Sequence, residues 1–247
     1  MIDTDLLIAQ LEGWWQDDVF SKHKENVKKL GRPSSFNINP FLHPYIANFV
    51  YGDTSPISLA KALVLPRAMG TSVTTTFGKK MQDFIVANIE HAEASGIDGI
   101  DIEFKNQATA EAKKMYCQVK AGPNTINSDD VAPIGAKFTK LRNKARLDKL
   151  SLESSSLIVG VLYGCRADLS NNYLNIENKH GYGVFVGAAF WGMLTGDSDF
   201  YDKMSNKLGD LSQRFDETEY IQTTIDKLSQ SKEIIALSKQ GVSGEKA

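Results

Sequence analysis

The chain has 247 residues, of which 42% are hydrophobic and 23% charged, with a formal net charge of −2. It is long enough to bury a sizeable core, and it has no apolar run near the ~18 residues a membrane helix needs. An acidic balance excludes a broadly basic nucleic-acid coat, so any surface for phosphates must be local.

The start, Met-Ile-Asp-Thr-Asp, has no basic region before an apolar one, and the expected location is the cytoplasm. Residues 4–30 carry Leu6, Leu7, Leu11, Trp14, Trp15, Val19 and Phe20 at near-helical spacing, and Gly31-Arg32-Pro33 ends that helix. Asn37 to Gly52 holds Pro40 and Pro44 among aromatics, which predicts an irregular packed segment before a short helix at 56–65. His43 has no metal-ligand companions and reads as a structural histidine.

Thr71 to Thr76 reads as a polar loop, and Gly78 to Ala94 as a helix carrying Asp83 and Glu90. Two strand-like runs follow, Gly99 to Phe104 and Met115 to Lys120, then a loop from Gly122 to about Asp129. A helix at about 131–149 carries Lys137, Lys140, Arg142, Lys144, Arg146 and Lys149 against the single acid Asp148. Such a run suits either a solvated helix face or a phosphate-binding one. Leu157 to Tyr163 is nearly all apolar and predicts a central buried strand. Gly183 to Val186 predicts another, with Tyr173 to Ile176 a shorter candidate. Helical patterning resumes near Phe190 and runs from Phe200 to Leu237 with breaks near Gly209 and Phe215; 241–247 reads as frayed. Cys117 and Cys165 lie in apolar runs without a CxxC partner, and both read as small buried side chains in a reducing compartment.

The two runs around residue 110 carry the chemistry. Side chains alternate along a strand, so Asp101 and Glu103 share a face, as do Tyr116, Gln118 and Lys120. Paired as a hairpin, these strands bring a carboxylate, an amide and an ammonium together. Carboxylate and carbonyl oxygens hold a hard cation, and a lysine stabilises charge developing on a phosphodiester. Half-buried strands also alternate isoleucine with acids for purely structural reasons. Ala121-Gly122-Pro123-Asn124-Thr125 stops the second strand directly after Lys120, which leaves the lysine approachable.

Asp101, eighteen intervening residues, and Lys120 with a polar residue two before it resemble the PD-(D/E)XK nucleases. With Asn39-Pro40-Phe41, Phe77-Gly78-Lys79, Val119-Lys120-Ala121-Gly122 and Ile158 to Gly164, the ordered set resembles a branch of type II restriction endonucleases. Members of that branch are associated with interrupted palindromes built from GG and CC. The family usually has Glu or Asp where Gln118 stands, and an amide oxygen ligates without contributing charge. Glu103, Asp98 or Asp83 are the candidates to supply it. The family core also has a strand between its first helix and the aspartate, for which only 95–98 is left here.

The resemblance implies an α/β fold: a mixed central β-sheet flanked by helices, with N- and C-terminal helical additions. It implies one catalytic domain over 1–247, with a nuclease core at about 70–195 and elaborations at 1–69 and 196–247 for DNA binding or dimerisation. Asp101, Gln118 and Lys120 are the expected catalytic residues. Asp101, Gln118 and the Val119 main-chain carbonyl are the expected ligands of Mg²⁺, with Mn²⁺ a substitute and Glu103 and Asp83 further candidates. Asn124, Thr125, Asn127, Lys137, Lys140 and Arg142 are the expected DNA contacts. The expected activity is cleavage of double-stranded DNA at a short palindrome by a homodimer, leaving 5′-phosphate and 3′-hydroxyl ends. The rivals are a structure-directed repair or recombination nuclease and an inactive DNA-binding protein of the same fold.

Overall fold

A computed structural model describes residues 2–148 and 152–240. Lys149 of the basic run and the terminal stretch 241–247 lie outside the described residues. Helix α1 (Thr4–Trp14) passes through a π-helical turn, Trp15–Phe20, into α2 (Ser21–Lys29). Next come α3 (Leu42–Tyr51), α4 (Pro56–Pro66), a second π-turn at Arg67–Ser72 and α5 (Val73–Asn88). Strands β1 (Ala92–Ala94), β2 (Ile102–Lys105) and β3 (Lys114–Lys120) precede α6 (Ser128–Leu147) and β4 (Leu157–Val161). The chain closes with α7 (Asn171–His180), β5 (Gly183–Val186), α8 (Ala188–Thr195), α9 (Phe200–Ser212), α10 (Thr218–Ser229) and α11 (Lys232–Ser238).

These elements form two compact units. Of the described residues, one comprises 2–14, 77–148 and 152–211, the other 15–76 and 212–240. The first unit holds a five-stranded sheet in the order β1-β2-β3-β4-β5. β1-β2 and β2-β3 are antiparallel, whereas β3-β4 and β4-β5 are parallel, so the sheet is mixed as expected. Leu157, Val159, Val161, Val184 and Val186 on one face pack with Ile134 and Phe138 of α6 and Tyr173 and Ile176 of α7. On the other face Phe104 meets Phe190 of α8 edge-on, with ring centroids 6.3 Å apart. The second unit is helical, with Leu59 and Leu63 of α4 packed among Ala47, Ile225, Leu228, Ile234 and Leu237.

Several elements differ from the sequence expectation. Residues 42–51 of the supposed irregular stretch form α3, because the Asn39 side chain accepts from the Phe41 and Leu42 amides at 2.9 and 3.0 Å and starts the helix. Pro44 falls in the first turn, where its missing N–H costs nothing. The polar loop at 71–76 is the end of the second π-turn and the start of α5; the β-branched penalty of a few tenths of a kcal/mol per residue does not stop a helix already under way. α5 ends at Asn88 rather than Ala94, and the short extra strand lies at 92–94, upstream of the 95–98 window. Pairing of Ala92 with Phe104 and Ala94 with Ile102 outweighs the helix-forming tendency of these alanines.

The Asp130 carboxylate accepts from the Asn127 amide at 2.7 Å, so α6 starts at Ser128, ahead of 131. Tyr173 to Ile176 is not a strand. Those two side chains are buried from one face of α7 at i,i+3 spacing, which a four-residue window cannot tell from alternation. α9 runs unbroken through Gly209. Cys117 is buried in β3, but Cys165 is exposed, because the sheet ends at the Val161–Val186 pair and the chain leaves the layer there.

Candidate active site

The antiparallel register sets Glu103 opposite Tyr116 and Ile102 opposite Cys117, and facing residues of such a pair share a side of the sheet. Glu103, Lys114, Tyr116, Gln118 and Lys120 therefore lie on one face. One residue ahead of β2, Asp101 is strapped to β3 twice. Its amide donates to the Cys117 carbonyl at 2.9 Å, and its carboxylate accepts from the Val119 amide at 2.7 Å. The aspartate is thus held against Cys117 and Val119, whose chain leads directly into Lys120.

Gln118 is only 7% exposed. Its Nε2 donates to the Gly99 carbonyl at 3.2 Å, while its Oε1 is buried without a hydrogen-bond partner. Leaving such an oxygen unsatisfied costs about 1–3 kcal/mol. The Lys120 carbonyl accepts from Leu162 of the β4 side at 3.0 Å. Successive carbonyls point opposite ways along a strand, so the Val119 carbonyl is turned toward Asp101. Lys120 is half-buried and makes no ion pair among the described residues.

Gly99 and Gly122 admit two neighbouring side chains to this strand end. Gly99 has φ +83°, and a Cβ there would come within 2.3 Å of Lys137 Cδ. The stem of Lys137 thus lies against the residue whose carbonyl holds Gln118. A Cβ on Gly122 would stand 2.3 Å from the Tyr163 hydroxyl, so that half-exposed ring lies over the turn following Lys120. Sequence reading missed Tyr163 as a neighbour of this site. Its signal is the parallel register, Lys120 beside Val161, which places it just past the strand end.

The other predicted residues scatter. Glu103 is buried and committed: Ser95 Oγ donates to it at 2.6 Å and Lys114 Nζ is 2.7 Å away. Lys114 also reaches Glu93 at 3.0 Å, and the bonds to Glu103 and Glu93 hold its pKa above the ordinary lysine value. Asp83 sits on α5 in an ion pair with Lys80 at 3.4 Å, more than half exposed. Lys137 and Lys140, with Lys144, Asp98, Tyr116 and Leu141, line a groove of about 550 Å³. Arg142 instead donates to Ser154 Oγ at 3.0 Å. Asn124 is exposed, Thr125 Oγ1 donates to the Gly122 carbonyl at 2.8 Å and meets the Tyr173 hydroxyl at 3.0 Å, and Asn127 precedes α6. Burial pushes the Tyr173 phenol up to about 12, which keeps it neutral. Burial also raises the Cys117 thiol, so that group is an inert part of the core.

Among the described residues no cluster of three or more His, Cys, Asp and Glu side chains is arranged to hold a metal ion. The oxygens at this strand end are a carboxylate, an unpartnered amide and a peptide carbonyl, all hard donors of the kind Mg²⁺ takes in small number. The family described as Type II restriction endonuclease EcoO109I matches residues 39–216, well over half of the chain. The chain belongs to that family. It is therefore a site-specific DNA nuclease, a phosphodiester hydrolase of a type II restriction system, and the mixed sheet flanked by helices is the fold the resemblance implied. No curated protein sequence matches it. Among the described residues no helix is long and apolar enough to cross a membrane.

Proposed function

We propose that this EcoO109I-family nuclease cuts both strands of a short palindromic duplex, an interrupted GG/CC site, with Mg²⁺, and that Asp101, Gln118 and Lys120 carry the reaction. The observation that carries this reading is the buried Oε1 of Gln118, without a partner among the described residues, on the strand whose next amide, Val119, holds the Asp101 carboxylate. Asp101, that oxygen and the Val119 carbonyl would hold the cation, and Mn²⁺ substitutes. When bound, the ion supplies charge that neutralises the phosphodiester and makes a water a better nucleophile. Lys120 orients the attacking water and faces the negative charge that builds on the phosphate, with no ion pair to oppose it among the described residues. The leaving group is the 3′ oxygen, giving 5′-phosphate and 3′-hydroxyl ends.

The first unit is the catalytic part, and the helical residues outside it serve DNA binding or dimerisation. Lys137 and Lys140 reach phosphates from the groove beside Gly99, with Arg142 farther along α6. Asn124, Thr125 and Asn127 offer short polar side chains to the duplex. Glu103 and Asp83 are the reserve acids for the cation. A palindrome read symmetrically implies a homodimer with one site per strand, acting in the cytoplasm.

The test is digestion of plasmid DNA with and without Mg²⁺, followed by sequencing of the ends. Discrete fragments with a shared palindrome, lost on chelation, are the expected result. A smear, or cutting that persists in chelator, refutes the reading.

A further inference from the structure

We propose that the uncharged outer face of α3 is the contact through which two copies of this chain pair. The inference deepens the reading above, which calls for a dimer without saying which surface makes it. Five of the eleven exposed large apolar side chains among the described residues fall within ten positions: Phe41, Leu42, Tyr45, Phe49 and Val50. Phe41 is 88% exposed, Tyr45 63% and Phe49 76%. These three recur every fourth residue, so they form one stripe on one side of the helix. Tyr45 and Phe49 stack on each other with centroids 5.8 Å apart. The inner side of the same helix is already satisfied, with Ala47 fully buried and Ile46 and Tyr51 packed on the α4 cluster.

Charge and area both point to a second copy as the occupant. Residues 36–52 contain no Asp, Glu, Lys or Arg, so the stripe has nothing to offer phosphates, and a membrane surface would call for flanking cations. A patch without charge is complementary to itself, which is what a two-fold contact requires. Taking roughly 200 Å² for each aromatic side chain, the five residues expose about 600 Å². That is at the upper end for an apolar patch on a monomer, and it approaches the ~800 Å² per partner of a stable protein interface. The stripe would form the apolar centre, with Asn48 and His43 at its edge. About an axis through Tyr45, the Phe41 end of one helix would meet the Phe49 end of the other.

The experiment is sedimentation of the full chain from about 0.1 to 50 µM, compared with a Tyr45→Glu/Phe49→Glu double variant. The expected result is a dimer that the variant converts to a monomer, raising the dissociation constant at least a hundredfold. The circular dichroism spectrum of the variant should match the wild type, because the replaced rings are solvent-facing in a single copy. Cleavage should shift from double-strand breaks to nicks. A wild type that stays monomeric across that range even with duplex DNA overturns the proposal. So does a double variant that dimerises normally, and so does one that dimerises but loses duplex binding, which would make the stripe a nucleic-acid contact. The sedimentation result does not depend on cutting. A chain that pairs as expected yet never cleaves refutes the nuclease assignments and leaves this contact standing.

Discussion

The two ends of the β2–β3 hairpin present the same kinds of side chain on the same face, and they use them in opposite ways. At one end Glu103, Glu93, Lys114 and Ser95 satisfy each other with bonds of 2.6 to 3.0 Å. At the other end, neither Lys120 has an ion pair nor Gln118 Oε1 a hydrogen-bond partner among the described residues. Residue type does not distinguish these ends, since both offer carboxylate and ammonium. What distinguishes them is whether polar groups close on one another or stay open for a ligand. A closed set stabilises the sheet edge; an open set costs stability that only a bound group returns.

The largest effects should come from the open end. Lys120→Ala or Asp101→Asn should slow plasmid cutting by about a thousandfold or more while leaving the melting curve nearly unchanged. Cutting at the wild-type rate by either variant would erase the contrast. Gln118→Leu is the sharper probe, because it removes the unpaired buried oxygen, and with it the Nε2 bond to the Gly99 carbonyl, for an apolar group of similar size. Thermal stability should hold or rise by up to ~1 kcal/mol while cleavage falls by one or more orders of magnitude. In Gln118→Glu the added charge should change the Mg²⁺ and Mn²⁺ dependence of cutting, read by titrating each metal.

At the closed end the signs reverse. Glu103→Ala strips Lys114 and Ser95 of their buried acceptor and should cost roughly 1–3 kcal/mol in urea unfolding, with cleavage changed by less than about threefold. A loss of cutting comparable to that of Asp101→Asn would assign Glu103 the charge that Gln118 lacks. The smallest effect is alkaline. Lys114 has its folded pKa raised above the ordinary 10.5, so its stabilisation is whole below that pH and is lost as pH climbs through the folded value. Half-exposed, it is worth about 0.5 kcal/mol. The stability gap between wild type and Lys114→Met should stay level from neutral pH to about 10 and close above it.

The hairpin that carries the proposed site was legible because strand alternation and chain punctuation are local. Two short runs and the Gly122-Pro123 stop predict two strands, and the antiparallel pairing of β2 with β3 agrees with that reading. The helices around it were less legible. α3 hid behind two prolines because its start depends on the Asn39 side chain, and the true length of β1 depends on an edge it pairs with. Tyr173 and Ile176 fit either period over four residues, and contact with α6 and the sheet decided for the helix. Cys165 looked buried because its neighbours are apolar, but where a sheet ends is set by its partner strand.

By itself the amino-acid order determined the hairpin, the face that carries its acids and lysines, the basic stretch after it and the α/β class, since each follows from spacing along one segment. The tertiary structure alone decided which of those charges pair off and which remain open, that Lys137 rests on Gly99, that Tyr163 covers Gly122, and that the aromatic side of α3 faces solvent. Those outcomes depend on atoms brought together from distant positions in the chain, where burial and hydrogen-bond geometry, rather than residue type, set the energy of each polar group.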